Sequence, residues 1–311
     1  MASSVQKKTA IVTGAGSGIS LAFAELLLKS GCNVVFADLA LRPEAVDVVS
    51  AYSLSTDTKA RALFQQTDVT DWDQLSRLFS LATTEFGGVD IVCPGAGVYE
   101  PPFSSFWFPP ESSAVSKDDP SQSRYKALDI NLTHPIRCTQ LAISHFLSQH
   151  PPKEGEKVPY RGTVVHISSI AAQVSPVFAP IYNATKAGLS HFIRSLAPLE
   201  DRFGIRVNGV APGIIKTPLW TEHPEKLKMI DSNFDDWVTP QEVAQVMLDC
   251  IVGDDSVGGT ILEIGLKQVR KVEVRNDPGP KGAGHELPSA GLCADDVWSV
   301  LGMPGWGINP S

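Results

Sequence analysis

Apolar segments of strand length alternate with segments of helical periodicity along most of the chain. The first forty residues read as a strand, a glycine-rich turn, a helix and a second strand that ends in Asp38. Apolar strands joined by helices are typical of βαβ units, which place helices on both faces of a mainly parallel sheet. We therefore predict an α/β fold with a doubly wound parallel sheet, forming a single domain over residues 1–265.

The same alternation continues to residue 264. Strands are predicted at 10–13, 33–37, 62–66, 89–93, 162–167, 205–210 and 260–264, and helices at 21–28, 73–86, 125–148, 182–203 and 240–251. The pair His134-Pro135 lies inside the third of these helices. Because a proline lacks the backbone donor that a helix interior needs, we predict a kink there.

Three segments interrupt the alternation, at 98–124, 212–237 and 266–311. The first two are rich in proline and aromatic residues and follow strand ends, where open α/β sheets bind ligands. They are predicted to line an apolar pocket, or else to pack only on their own side chains. The third is a Gly- and Pro-rich C-terminal extension, either disordered or docked on the substrate mouth or a second subunit. Trp298 and Trp306 favour docking.

Composition excludes several classes of protein. The formal net charge is −8 and the pI about 5.4, without a basic block, so neither nucleic acid nor an anionic membrane is an expected partner. No apolar run reaches the ~18–20 residues of a membrane span, and the first residues do not resemble a secretory signal. The five cysteines are scattered, without zinc or disulfide spacing. We predict a cytoplasmic protein without a metal site.

The turn Gly14–Gly18 has the context of a dinucleotide site. It follows a strand and opens a helix, whose free N–H groups and dipole favour a pyrophosphate. Asp38 lies about 20 residues further on, where a carboxylate accepts hydrogen bonds from ribose hydroxyls and repels a 2′-phosphate. Ser17 occupies a position where a basic residue would favour NADP. We therefore predict NAD as cofactor, with Arg42 as the main contrary feature.

The segment PIYNATK, at 180–186, places a tyrosine and a lysine four residues apart. On a helix these positions share a face, so the pair could be ordinary surface packing. It could also be chemical, because a neighbouring ammonium lowers the pKa of a phenol, which is ordinarily about 10. The spacing of Tyr182 and Lys186 alone leaves both interpretations open.

Over roughly residues 7–265 the chain resembles the classical short-chain dehydrogenase/reductase (SDR) family. The resemblance rests on the order of the glycine turn, Asp68-Val69, Pro94-Gly95-Ala96-Gly97, Asn131, Ser168-Ser169, Tyr182-x-x-x-Lys186, Arg206-Val207-Asn208, Pro212-Gly213 and Thr217. The proline–aromatic insert (98–124) and the glycine-rich tail (266–311) are similar to a fungal branch described as 15-hydroxyprostaglandin dehydrogenase-like. The fold that the resemblance implies is of the Rossmann type.

The resemblance implies a catalytic set and a cofactor-binding set. The catalytic residues are Asn131, Ser169, Tyr182 and Lys186. Tyr182 is the expected base, Ser169 bonds the substrate oxygen, Lys186 holds the nicotinamide ribose, and Asn131 holds a water of a proton relay. The cofactor is expected to contact Gly14, Ser17, Gly18, Ile19, Asp38, Asp68, Val69, Gly95, Ala96, Gly97, Tyr182, Lys186, Pro212, Gly213, Ile215 and Thr217. Pairing of the long helices implies a homodimer or homotetramer.

Structural alternatives remain open for four of these positions. Asn131 could only cap or kink its helix, and Asp68 could cap a turn instead of contacting adenine. Thr217 could be a turn residue before a proline, and Ser168 is the structural neighbour of Ser169.

Two departures from the family pattern stand in the cofactor site. The pattern Thr-Gly-x-x-x-Gly-x-Gly ends in Ser20 instead of glycine. The pattern Asn-Asn-Ala-Gly is replaced by Pro94-Gly95-Ala96-Gly97, so the asparagine amides that could tie the central strand to its neighbours are missing. We expect a local adjustment at Ser20 and the loss of a stabilising contact at 94–95, without loss of the proton donor.

The predicted function is that of an NAD-dependent oxidoreductase interconverting a secondary alcohol and a ketone on a small lipophilic substrate. Terpenoid, polyketide, steroid-like and fatty-acid-derived molecules would fit aromatic loops. The alternatives are an NAD(H)-binding redox sensor without turnover, and an epimerase or dehydratase that retains NAD. The presence of both Tyr182 and Lys186 favours the oxidoreductase.

Overall fold

The computed structural model describes residues 4–53, 60–111, 113–149, 158–174, 177–222, 237–266, 268–274 and 298. In these residues eight strands form one sheet. They are β1 (Thr9–Thr13), β2 (Asn33–Asp38), β3 (Ala62–Gln66), β4 (Ile91–Pro94), β5 (Gly162–Ile167), β6 (Ile205–Pro212), β7 (Ile261–Gly265) and β8 (Gln268–Lys271). Their spatial order is β3-β2-β1-β4-β5-β6-β7-β8. The first seven are parallel and β8 is antiparallel to β7.

Helices cover both faces of this sheet. Among the described residues, the α-helices of four residues or more are α1 (Gly18–Lys29), α2 (Pro43–Ala51), α3 (Trp72–Phe86), α4 (His134–Gln149), α5 (Pro180–Ser195), α6 (Leu199–Phe203), α7 (Pro218–Thr221) and α8 (Pro240–Val252). Neighbouring β1 residues face opposite ways: Val12 joins the core under α1 and α8, whereas Ile11 joins the core under α3 and α4. The predicted doubly wound α/β fold is confirmed.

Prolines divide two of the predicted helices. The helix predicted at 182–203 is two helices, because Pro198 has no N–H to donate and α5 ends in tight turns at Leu196 and Ala197. The helix predicted at 125–148 starts with a turn at Lys126–Leu128 and a π-helical turn at Asp129–Thr133 before α4 begins. Pro135 lies where a regular helix would donate to the carbonyl of residue 131, and the wider turn accommodates its ring.

The sheet extends beyond the last predicted strand. Residues 268–271 form β8, whose side chains are all exposed and whose backbone pairs with β7 from Leu262 to Gly265. The sequence analysis missed this strand because a short, exposed segment has neither an apolar run nor a clear alternation. The first residues of the predicted extension are therefore part of the sheet.

Candidate active site

A cavity of about 580 Å³ opens at the carboxyl ends of the parallel strands. Every residue predicted from the sequence to bind the cofactor lines it, together with Ser169, Tyr182 and Lys186. Asn131 is the one predicted site residue that does not line it; this side chain is buried behind the cavity wall. The strand order thus brings segments from the whole chain to one edge of the sheet.

The glycine turn forms the floor of the cavity. Gly14 and Gly18 have φ angles of +70° and +60°, a region that glycine enters without strain. A Cβ atom on Gly14 would lie 2.7 Å from the Cα of Ala96, so the turn also needs glycine for its close approach to the β4 end. Helix α1 begins there without a capping side chain and without an acidic residue in its first turn. Its free N–H groups are suited to an anionic pyrophosphate.

Asp38 ends β2 on one side of the turn. Its Oδ2 accepts a hydrogen bond from the Gly16 N–H at 2.8 Å, and its Oδ1 accepts one from the Leu39 N–H at 2.7 Å. Arg42, the contrary feature for NAD, makes a bidentate ion pair with Glu222 at the end of α7. The Arg42 Nη2 to Glu222 Oε2 distance is 2.7 Å. Asp68 also lines the cavity, and its carboxylate accepts bonds from the N–H and hydroxyl of Thr70, as the turn-cap alternative predicts.

A buried network that the sequence analysis missed supports the β4 end. The Ala96 N–H donates to Thr13 Oγ1 at 3.2 Å, and Thr13 Oγ1 lies 3.1 Å from His134 Nε2. His134 Nδ1 lies 3.1 Å from the Ile130 carbonyl, which only accepts, so the proton is on Nδ1 and Nε2 accepts from Thr13. Burial lowers the pKa of His134 to about 4, which keeps the ring neutral. This network fixes the backbone at Ala96, next to Pro94 and Gly95, where the family pattern has two asparagines.

Asn131 lies in the π-helical turn, and its side chain bonds the backbone of the segment that follows β4. Its Oδ1 accepts from the Val98 N–H at 2.8 Å, and its Nδ2 donates to the Val98 carbonyl at 2.7 Å. Both ends of the amide therefore pair with one residue, just past the loop that lines the cavity. A Cβ on Gly97 would be 3.4 Å from Asn131 Oδ1 and 4.0 Å from Lys186 Nζ, so both predicted catalytic side chains lie near Gly97.

Ser169, Tyr182 and Lys186 converge from β5 and α5. Ser169 follows β5, where its Oγ accepts from the Ala171 N–H at 3.1 Å. Its side chain is close enough to Tyr182 to lower the pKa of that phenol. Lys186 lies one turn along α5 from Tyr182, with its Nζ 5.6 Å from the centre of the Tyr182 ring. The Nζ donates to the Ile167 carbonyl at 2.7 Å. Ser168 is bonded to Ser190 at 2.7 Å, away from this group, as its structural assignment predicts.

The structure corrects the expected electrostatics of this group. Burial raises the pKa of Tyr182, and Ser169 only partly opposes that effect. Burial also lowers the pKa of Lys186 to about 8. Lys186 was expected to lower the pKa of this phenol; in this arrangement, in which the Nζ stands over the ring face and bonds a carbonyl, the pKa is raised instead. Ser169 is the neighbour that lowers the pKa of the phenol.

Aromatic side chains from both predicted loops line the outer part of the cavity. The Tyr99 ring, from segment 98–124, lies edge-on to the Tyr182 ring with 4.6 Å between centroids. Trp220, from segment 212–237, lies 5.5 Å from Tyr99. Val174, Phe178 and Leu219 add apolar surface. The other aromatic residues near the start of the insert, Phe106, Trp107 and Phe108, are exposed and lie outside the cavity lining.

The glycine turn, the acidic end of β2 and the Ser–Tyr–Lys group together define a dinucleotide-dependent oxidoreductase. The family model described as short chain dehydrogenase matches residues 8–228, so the chain belongs to the short-chain dehydrogenase/reductase family. It is an enzyme of the class that acts on CH–OH groups with a nicotinamide dinucleotide.

Named relatives agree with this assignment. Cis-4-hydroxycyclohexanecarboxylate dehydrogenase of Sinomonas cyclohexanicum is 35% identical over 219 residues, which cover 70% of this chain and 78% of that protein. 15-Hydroxyprostaglandin dehydrogenase [NAD(+)] of Rattus norvegicus is 29% identical over 274 residues, covering 84% and 91%. The crystal structure of a short-chain dehydrogenase/reductase of Brucella melitensis, titled glucose/ribitol dehydrogenase, is 27% identical. It covers 85% of this chain and 97% of its own, with a TM-score of 0.64.

Among the residues that the structure describes, none of the helices combines the length and the apolar character needed to cross a membrane. Within the same residues, no group of three or more His, Cys, Asp or Glu side chains could hold a metal ion. The four cysteines that the structure describes are buried and free, and Cys293 lies outside the described residues.

Proposed function

We propose that the protein is an NAD-dependent oxidoreductase that interconverts a secondary alcohol and a ketone on a lipophilic substrate, with Tyr182 as general base. The observation that carries this proposal is the convergence of Ser169, Tyr182 and Lys186 in the lining of one cavity, whose wall is aromatic. A substrate oxygen beside Ser169 and Tyr182 would meet two hydroxyl groups at once. In alcohol oxidation Tyr182 takes the hydroxyl proton, and in ketone reduction it returns a proton.

The remaining site residues fit the parts of a dinucleotide. The free N–H groups of α1 would hold the pyrophosphate, Asp38 the adenosine ribose, and Asp68-Val69 the adenine. Lys186 would hold the nicotinamide ribose, and Ile215 with Thr217 the carboxamide. When bound, NAD supplies the acceptor for the hydride that leaves the alcohol carbon. Asn131 would complete a proton relay from Lys186.

Two observations support NAD over NADP. Asp38 presents a carboxylate where a 2′-phosphate would need a cation. Arg42, the nearby cation, is already engaged by Glu222. The name of the rat prostaglandin dehydrogenase relative also specifies NAD(+).

The cavity wall supports a bulky, apolar substrate. Tyr99, Trp220 and Phe178 present mostly hydrocarbon surface near Tyr182. Two of the relatives are named for hydroxyl groups on such scaffolds, a cyclohexane carboxylate and a prostaglandin. We propose a secondary alcohol on a terpenoid, polyketide, steroid-like or fatty-acid-derived scaffold. A cytoplasmic location and a homodimer or homotetramer paired through α4 and α5 stay predictions.

The test is NADH formation from NAD across a panel of lipophilic secondary alcohols, with wild type beside Tyr182→Phe. Because a general base contributes about 10²–10⁴-fold, the variant should lose at least about a hundredfold in kcat while it still binds NADH. Tyr125→Phe is the matched control, since Tyr125 does not line the cavity, and it should keep full activity. Turnover by Tyr182→Phe within tenfold of wild type would contradict the assignment. A wild type that binds NADH but oxidises no alcohol would favour the redox sensor.

A further inference from the structure

Glu100 is held in an unusual backbone conformation next to the active site. It follows Tyr99 in the segment that leaves β4, and its φ is +31°, in the left-handed region that a residue with a Cβ seldom occupies. Such a conformation persists only where the surroundings fix it, and it is most common at functional sites. The side-chain contacts of Glu100 supply that fixation.

The two carboxylate oxygens of Glu100 bond in opposite directions. Oε2 accepts from the backbone N–H of Tyr182 at 2.9 Å. Oε1 accepts from the Phe106 N–H at 3.1 Å and from the Ser105 hydroxyl at 3.3 Å. One half-buried side chain therefore connects the insert to the residue proposed as the base.

The bond that Glu100 accepts from Tyr182 caps the N-terminus of α5. Tyr182 is the third residue of this helix, so its N–H has no partner within the helix. The residue before the helix, Ala179, has no side chain that could accept this bond, and no acidic residue lies in the first turn. Glu100 supplies the missing acceptor from a distant part of the chain, and its negative charge faces the positive end of the helix dipole.

Glu100 and its neighbour hold the same tyrosine at two points. Glu100 bonds the backbone of Tyr182, and the Tyr99 ring packs edge-on against its ring at 4.6 Å. The backbone and the ring of Tyr182 are thus each fixed by a different residue, and these two residues are consecutive in the insert.

We propose that Glu100 is a positioning residue for Tyr182, which locks the start of α5 to the insert so that the phenol meets Ser169 and the substrate oxygen. The proposal rests on the proposed function, in which Tyr182 is the base. Glu100 does not face the reacting atoms and takes no proton. Loss of its carboxylate should let α5 begin at a slightly different place, and a displacement of about 1 Å at a reacting group can cost about a hundredfold in rate.

The kinetic test compares Glu100→Ala, Glu100→Gln and Ser105→Ala with wild type. Glu100→Ala should lower kcat about 10–100-fold and change KM less than about threefold, because substrate contacts remain while alignment is lost. Glu100→Gln keeps one oxygen that can accept from Tyr182 and should recover most of the loss. Ser105→Ala removes two bonds on the insert side, to Glu100 Oε1 and from the Trp107 N–H, and should keep kcat within about twofold.

The pH profile separates positioning from general stabilisation. Burial raises the pKa of Tyr182 and Ser169 partly opposes that effect, so a phenol that stays buried but moves away from Ser169 should titrate at higher pH. The rising limb of kcat for alcohol oxidation should therefore move to higher pH in Glu100→Ala and stay in place in Ser105→Ala. A Glu100→Ala variant with a lower unfolding temperature but unchanged kcat and unchanged pH profile would show that Glu100 only folds the insert.

A spectroscopic measurement decides the proposal even if no substrate is found. The chain has five tyrosines, so fluorotyrosine labelling gives a small set of ¹⁹F resonances, and Tyr182→Phe assigns the one of interest. Its pH titration should move to higher pH in Glu100→Ala and not in Ser105→Ala, with NADH affinity unchanged in both. An identical Tyr182 titration in wild type and Glu100→Ala overturns the proposal, independently of whether the enzyme turns over any alcohol.

Discussion

Ser20 and Gly95 mark the two departures from the family pattern, and the structure brings them into contact. A Cβ atom on Gly95 would lie 2.3 Å from Ser20 Oγ, closer than atoms can approach. The family pattern has glycine at the first position and asparagine at the second. In this chain the larger side chain is at the first position and glycine is at the second. The two departures therefore compensate each other within one buried space under the cofactor turn.

This compensation predicts a non-additive pair of substitutions. Gly95→Ala should destabilise the protein by about 1–3 kcal/mol, because the new methyl group overlaps Ser20 Oγ. In the Ser20→Gly background the same change should cost less, although contacts of 3.0 Å with the Thr13 carbonyl and 3.1 Å with Ile167 remain. Urea unfolding of the four proteins measures the coupling, expected to be about 1 kcal/mol in the favourable direction. Strictly additive costs would contradict a shared space.

The sequence was enough to predict residues that line one cavity, but not their hydrogen-bond and packing partners. The glycine turn, Ser169, Tyr182 and Lys186 were recognisable because the chemistry restricts residue type and spacing. The contact of Ser20 with Gly95 and the bond of Thr13 to His134 depend on which strands are neighbours and on the exact approach of loops. His134 was interpreted only as part of a kink, since nothing in its local sequence indicates a bond to β1. The burial that raises the pKa of Tyr182 is likewise a property of the packed structure.

At the level of elements, one ion pair connects the two ends of the cofactor cleft. Arg42 precedes α2 on the Asp38 side, and Glu222 follows α7 on the side of the substrate loop. Both residues line the cavity. The guanidinium is close enough to Asp38 for that carboxylate to help raise the pKa of Arg42, although the hydrogen bond to Glu222 is the main cause. The guanidinium beside Asp38 is thus committed to an acidic partner.

Release of Arg42 from Glu222 should weaken the discrimination against NADP. In Glu222→Gln the guanidinium loses its charged partner and becomes available to a 2′-phosphate. An exposed pair is worth about 0.2–1 kcal/mol, so the Kd for NADPH should fall by about two- to fivefold, with the Kd for NADH changed less than twofold. Fluorescence titration with each dinucleotide measures both values.

A second substitution at Arg42 is the control for this prediction. The double variant Arg42→Gln/Glu222→Gln has no cation to offer a phosphate, so it should not gain NADPH affinity. An equal gain in the single and double variants would mean that simple loss of negative charge near the cleft is responsible, and that Arg42 takes no part.

The elements themselves were predictable where side-chain periodicity is strong. Strands β1, β2, β4, β5 and β6 and the core helices α1, α3 and α8 follow buried apolar patterns. Helix boundaries at Pro135 and Pro198 were missed in part, since a proline can bend, widen or end a helix and only the packing decides which. Strand β8 was missed because its order comes from backbone pairing with β7 and not from burial.

At the scale of the whole molecule, Trp298 connects the C-terminal extension to the core. Its ring lies 6.2 Å from the Phe203 ring in α6, and the Arg202 guanidinium lies 5.7 Å above it. Trp298 also packs against the core under α3 and α4. The extension was predicted to dock on the substrate mouth or on a second subunit; Trp298 instead contacts α6 of its own chain, and Trp306 lies outside the described residues. The contact is on α6 and not in the lining of the cavity.

Trp298→Ala should therefore lower stability without changing the chemistry. A partly buried aromatic ring contributes about 1.5–3 kcal/mol, which corresponds to a loss of roughly 2–6 °C in the unfolding temperature of a domain of this size. Trp72→Ala is the matched control, because Trp72 also lies under an arginine, Arg137 at 4.9 Å, but is 49% exposed. It should cost less than half as much. NADH affinity should be unchanged in both variants, since neither tryptophan lines the cavity. Equal unfolding temperatures for wild type and Trp298→Ala would mean that the extension gains nothing from this contact, and reduced NADH affinity would mean that it acts on the active site through α6.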